Sequence, residues 1–227
     1  MKNFIKNHYK LLVAAILYLA FIIWTILVLF VDVRAIGPND STIGLSSVNE
    51  YFRNLLPLNE TLYKITDLMM VIPFLVMGIF ALVGVIELIK RKSLLKVDSE
   101  LIALSIYYVV VVVFYFVFEL FVVNYRPVLI EGQLEASYPS THTLLFVTIL
   151  LSAKYLVDTK YFKDKKIIKY VLNVVVAFLL VFGILARFIS GVHYFSDIIA
   201  GVLLGSSLYT AYIYIVSLIN KKREQII

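Results

Sequence analysis

The sequence predicts an all-α fold: one domain over residues 1–227, built as a six-helix transmembrane bundle with both termini cytoplasmic. Three observations carry that reading. The chain is 62% hydrophobic and only 16% charged, whereas soluble domains are about half apolar and a quarter charged. Its apolar residues gather into runs of the ~20 residues that a helix needs to cross a bilayer. Its basic residues alternate between rich and poor connections along those runs.

The first run, LLVAAILYLAFIIWTILVLFV at 11–31, is too long for a signal-peptide core and lacks a clear small-residue cleavage site after it. It reads as a retained helix. The loop that follows, 32–67, falls outside. Within it, SSVNEYFRNLL sets Val48, Tyr51, Phe52, Leu55 and Leu56 at helical spacing. Ser47 and Glu50 there have the spacing of a capping box. Such a helix either lies on the outer leaflet or packs over the bundle. Further spans are expected at 68–90, 101–123, 138–157, 167–187 and 195–219. In the last of them, GVLLG places Gly201 and Gly205 four apart, the small-residue spacing that lets helices approach closely.

The mean hydropathy is +0.94 and the net charge +6. Of the 21 Lys and Arg, only Arg34, Arg53, Lys64, Arg126 and Arg187 fall on one side of the spans. The remainder cluster on the other, before span one, between spans two and three, between four and five, and after six. The positive-inside rule makes that richer side cytoplasmic. The charge is therefore a topology signal that also suits anionic lipid. A nucleic-acid partner would need a basic soluble face, and none is visible. With no cysteine, disulfides and thiolate metal sites are excluded.

The polar residues at membrane depth or at helix mouths are Glu119, Arg126, Ser140, Thr141, His142, Arg187, His193 and Asp197. The topology puts all of them at the outer ends of spans three to six, and no comparable cluster is expected at the cytoplasmic ends. Ionisable groups at such depth are functional candidates. Two arginines offer planar forks of donors suited to phosphate oxygens. In YPSTH, Pro139 stands where a helix begins, and the free N–H groups of a helix start attract anions. His193 and Asp197, four apart, share a helix face. Asp197 is placed to accept a proton from one ring nitrogen of His193, leaving the other free to attack. His142 is placed to protonate a leaving alkoxide. The combination points to phosphoryl transfer through a phosphohistidine.

Three segments resemble the motifs of the type 2 phosphatidic acid phosphatase superfamily, K-x6-R-P, P-S-G-H and S-R-x5-H-x3-D. They read here ELFVVNYRP, PSTH and ARFISGVHYFSD, between residues 119 and 197. The resemblance implies a metal-independent membrane lipid phosphatase with no cofactor. It implies that His193 attacks phosphorus, Asp197 orients it and His142 protonates the leaving oxygen. It further implies that Arg126, Arg187, Ser140 and a backbone N–H near Thr141 hold the phosphate. Three positions depart: Glu119 replaces the family's lysine, Thr141 its glycine and Ala186 its serine. Glu119 lies two turns before Arg126 if the helix persists. It either pairs with an arginine and fixes its fork, or faces water at a helix end. Thr141 keeps its backbone N–H. Loss of the hydroxyl at Ala186 is expected to weaken phosphate binding by about 0.5–1.5 kcal/mol.

Among lipid substrates the outward site favours undecaprenyl diphosphate, with phosphatidylglycerophosphate and phosphatidic acid as alternatives. A phosphotransferase to an acceptor other than water, an inactive lipid-binding relic, and a metal site of His142, His193 and Asp197 are the rivals. Two flanking arginines argue against the last, and the intact histidines and Asp197 against the relic. The expected location is the cell membrane, with the site facing outside.

Overall fold

Where hydrocarbon replaces water, a backbone must satisfy its own hydrogen bonds, so an apolar run crosses as a helix. The structure, a computed structural model, describes residues 2–225. Among these, six helical segments are long and apolar enough to span a membrane, and the chain has the form of a multi-pass membrane protein. The spans are α1 (Lys2–Phe30), the kinked pair α3 (Glu60–Met69) and α4 (Val71–Arg91), and α5 (Ser99–Leu120). The fourth comprises α6 (Thr141–Leu145) and α7 (Leu151–Leu156), continuous through π-helical turns at Phe146–Leu150 and Val157–Tyr161. The last two are α8 (Lys166–Ile189) and α9 (Phe195–Glu224). A two-stranded hairpin, Arg34–Ala35 against Thr42–Ile43, precedes the short α2 (Ser46–Leu55).

The fourth span is the centre of the bundle. In its most apolar stretch 67% of residues are buried, against 11–28% in the other five spans. Shielding from lipid explains why its hydropathy is the lowest, 1.2. Thr148 donates to the Leu144 carbonyl (2.7 Å) and Ser152 to that of Thr148 (2.6 Å). Hydroxyls bonded back in this way are satisfied without a partner helix and loosen the turn. α1 packs along α9, with Ser207 donating to the Ala14 carbonyl (2.9 Å) and Trp24 Nε1 to that of Ser196 (3.0 Å).

Gly201 and Gly205 make the contact that their spacing implies. A Cβ on Gly201 would stand 2.8 Å from Thr143 Cβ and 2.9 Å from the Ser140 carbonyl, and one on Gly205 would stand 2.9 Å from Val147 Cβ. A Cβ on Gly78 would meet nothing within 4 Å. Gly201→Ala is therefore expected to destabilise by about 1–3 kcal/mol through overpacking. Gly78→Ala should leave stability unchanged or raised, because alanine is the better helix former. Thermal midpoints of the two variants in detergent check this, and equal midpoints would contradict the close packing.

Several boundaries and contacts differ from expectation. The second span starts at Glu60, not 68, because Asn59 caps a helix there by accepting from the Leu62 N–H (3.0 Å). Pro73 has no N–H for the Met69 carbonyl, which breaks the helix at Met70. The third span ends at Leu120, short of 123. The capping box at Ser47 and Glu50 does not form. The helix is capped two residues earlier, at Leu45, so that α2 starts at Ser46; Asp32 accepts the Ser47 N–H, and Glu50 faces Arg34 (3.7 Å). α2 packs on the bundle through buried Asn49 and through Phe52, stacked on Phe195 with centroids 4.6 Å apart. Its Val48, Tyr51 and Leu55 stay exposed. A polar cluster also occupies the opposite end of the bundle, where Asp98 pairs with Lys160 and Arg223 beside the buried Glu100. These charges lie far apart in sequence, which hid the cluster.

Candidate functional site

The site lies at one end of the bundle, where α9 begins, α8 ends and the 121–140 segment folds over the start of α6. Asp197 stands in the first turn of α9 and accepts the Tyr194 N–H (2.9 Å). Its other contacts are also donors: Ser137 Oγ at 2.5 Å, Ser196 Oγ at 3.3 Å and Asn124 Nδ2 at 3.5 Å. Asn49 braces Ser196 from α2, donating to its hydroxyl (3.0 Å) and accepting its N–H (3.1 Å). Asp197 is thus a fixed, fully buried acceptor.

His193 lies four residues before Asp197, but the direct contact expected from that spacing is long. Nδ1 and Oδ2 are 3.7 Å apart, and Ser137 Oγ stands between them, 3.0 Å from Nδ1. The other nitrogen, Nε2, is buried without a hydrogen-bond partner among the described residues. Burial first, then the charges of Arg126 and Arg187 and the neighbouring His142, hold the His193 ring well below the usual histidine range. The ring is therefore neutral at pH 7.

Both arginines meet carboxylates. Arg126 pairs with Glu135 (3.0 Å) across an antiparallel bridge in the 121–140 segment, its own N–H donating to the Glu135 carbonyl (3.0 Å). Arg187, 1% exposed, donates to Thr66 Oγ1 (3.2 Å) and stacks over the Tyr63 ring (5.2 Å). Asp67 Oδ1 lies 4.0 Å from Arg187 and 3.4 Å from His142 Nε2. Arg126 Nη1, Arg187 Nε and Nη2, and His142 Nδ1 are buried without hydrogen-bond partners. Unpartnered donors at this depth are costly unless an anion completes them.

Ser140 caps α6 and accepts from Thr143 N–H (3.4 Å), so Pro139 precedes the helix and is not in its first turn. Thr141 opens α6 beside His142. A cavity of about 360 Å³ runs from these two residues and Arg126 along Met70, Phe74 and Met77 on one side and Val112, Tyr115 and Phe116 on the other. It is an apolar groove between α4 and α5 with polar groups at its head.

Glu119 is the exception. The helix ends at Leu120, so it does not persist to Arg126, and Glu119 is exposed at its end. Glu135 is the carboxylate that pairs with Arg126, and of the two places open to Glu119 the geometry shows the exposed helix end, not the arginine pair. Thr66, Asp67 and Tyr63 carry no signal in the sequence, because 32–67 has the polar character of a loop. Ser137 and Glu135 lie two and four residues before the PSTH motif, and only their contacts single them out. Among the described residues, no three of His, Asp and Glu are grouped as ligands of one ion.

The sequence matches the family model of the PAP2 superfamily over residues 75–221. The chain belongs to that superfamily. The match contains both histidines, both arginines, Ser137 and Asp197, and leaves out Asn49, the three residues from α3, and Met70 and Phe74 of the groove. The fold is similar to the crystal structure of a transmembrane PAP2-type phosphatidylglycerolphosphate phosphatase from Bacillus subtilis. The TM-score is 0.63 and the identity 17%, over 91% of this chain and 96% of that one. No curated protein matches the sequence significantly. In this PAP2 protein the three motifs therefore meet at one end of a six-span bundle, around a shared set of unpartnered nitrogens.

Proposed function

We propose that this chain is a metal-independent lipid phosphate or diphosphate phosphatase acting through a phosphohistidine. The observation that carries the reading is the set of buried nitrogens without hydrogen-bond partners on Arg126, Arg187, His142 and His193, next to an apolar groove that fits a lipid tail. Arg126, Arg187, Ser140 and the N–H of Thr141 hold the phosphate. Nε2 of His193 attacks phosphorus as the bond to the lipid oxygen breaks. His142 gives its proton to that oxygen. Water then attacks the phosphohistidine, His142 takes up the proton, and phosphate leaves. Thr141 in place of glycine preserves the backbone donor, and Ala186 costs one hydroxyl. Glu119 takes no part in holding phosphate.

On charge distribution both termini are cytoplasmic and the site faces outside the cell membrane. An outward site fits undecaprenyl diphosphate, a carrier lipid freed of phosphate on that face. The similar Bacillus subtilis structure is that of a phosphatidylglycerolphosphate phosphatase, which makes phosphatidylglycerophosphate the second substrate. Phosphate release by the purified chain from both lipids and from phosphatidic acid, in EDTA, tests the reading. Release that needs an added divalent ion, or none from any lipid, would overturn it.

Asp67 stands where it competes with phosphate for Arg187. It is more than half exposed, so its pull is modest, about 0.5–1 kcal/mol. Asp67→Asn is expected to tighten inhibition by inorganic phosphate by roughly two- to fivefold. Weaker inhibition would mean that Asp67 helps the site to form.

A further inference from the structure

We propose that Ser137 is the positioning residue that couples Asp197 to His193, so that its hydroxyl carries the pull of the carboxylate to the Nδ1 proton while Nε2 stays free. The kinetic part of this inference rests on the phosphatase reading, whereas the proton arrangement does not.

The Ser137 main chain also hydrogen-bonds the His193 ring, and the hydroxyl adds the link to Asp197. A separation of 3.7 Å between Nδ1 and Oδ2 is too long for a hydrogen bond. Ser137 Oγ lies within reach of both, at 3.0 and 2.5 Å. Every other contact of Asp197 is a donor: the Tyr194 N–H, the Ser196 hydroxyl and the Asn124 amide. Asp197 therefore acts as an acceptor toward Ser137 as well. A serine hydroxyl has one proton. With that proton given to Asp197, the oxygen can only accept from His193, which requires the ring proton on Nδ1. The lone pair is then on Nε2, the nitrogen without a partner.

Ser137 is held in this place from both sides. It is 2% exposed, and its N–H donates to the Asn124 carbonyl (2.9 Å). The next residue, Tyr138, is tied through its hydroxyl to Thr25 on α1 (2.7 Å). Asn124 therefore anchors the serine by its carbonyl and the aspartate by its amide. No proton leaves the ring when Nε2 bonds to phosphorus. The imidazolium that forms keeps its Nδ1 proton, and the serine passes the stabilising field of Asp197 to it.

The first test reads the protons directly. The chain has three histidines, so 15N-histidine NMR of the purified protein can be assigned with His8→Gln and His142→Gln. His193 should carry its proton on Nδ1, and Ser137→Ala should leave it there, on the main chain of residue 137, but change its chemical shift. A proton on Nε2 in the unaltered protein would overturn the relay, whether or not any lipid is hydrolysed. The second test is kinetic. Ser137→Ala should lower kcat by about ten- to hundredfold with KM within roughly twofold, the scale of one hydrogen bond to a charged group. Ser137→Thr, which keeps the hydroxyl, should recover part of the loss. The double variant Ser137→Ala/Asp197→Asn should be no slower than Asp197→Asn alone, because the two residues act in series. Fully additive losses would overturn the relay. An Nδ1 proton whose chemical shift changes in Ser137→Ala, in a chain that releases no phosphate, would support the relay and remove the phosphatase reading alone.

Discussion

Replacing His193 with alanine is expected to end phosphate release, with kcat lower by about 10⁵-fold or more, the order of loss when a covalent nucleophile is removed. Lipid binding should persist, because Arg126 and Arg187 remain. Loss of binding together with turnover would indicate a structural histidine instead. The same residue sets a pH dependence. Burial, then Arg126, Arg187 and His142, hold the ring well below its ordinary range, with Asp197 reaching it only through Ser137. The ring therefore stays neutral as pH falls from 7 through the ordinary histidine range near 6.5. No acid limb belonging to His193 is expected there in a plot of kcat against pH. Stability runs the other way. The unfolded chain takes up a proton in that range and the folded chain does not, so this group lowers stability as pH falls through it.

His142→Gln is expected to lower kcat on lipid substrates by about 10²–10⁴-fold, the usual contribution of a general acid. A lipid alkoxide is a poor leaving group and needs the proton. An aryl phosphate such as p-nitrophenyl phosphate leaves unprotonated, so its turnover should fall far less, by about tenfold or under. That contrast separates proton donation from phosphate holding. An equal loss on both substrates would assign His142 to binding, together with the arginine at its side.

How much of this was legible in the sequence depends on the range of each interaction. A membrane span is a local property, since hydrocarbon demands a continuous apolar helix of sufficient length, and all six appear in the chain as written. His193 and Asp197 are legible because a helix brings residues four apart to one face, and Arg187 ends the helix just before them. The close packing at Gly201 and Gly205 is likewise visible in their spacing. The errors have the same origin. The helix start at Asn59 is a capping contact in a polar stretch that hydropathy cannot distinguish from loop. Treating that stretch as loop concealed Thr66, Asp67 and Tyr63, which reach Arg187 from another span. Glu119 was given a possible arginine by assuming that a helix continued past Leu120, and the chain turns there instead.

By itself, then, the sequence determined the six crossings, the distribution of charge across them, and the three motifs with their histidines, arginines and aspartate. Helix periodicity and transfer from water act within a segment, so neighbours in sequence are enough to read them. Only the tertiary structure decided who completes each polar group: Ser137 between Asp197 and His193, Glu135 on Arg126, Asp67 before Arg187 and His142, and Asn49 and Asn124 bracing the start of α9. Those partners come from different spans and loops. A buried hydrogen bond of about 3 Å depends on how separate helices are placed against each other, and that placement is a property of the packed bundle.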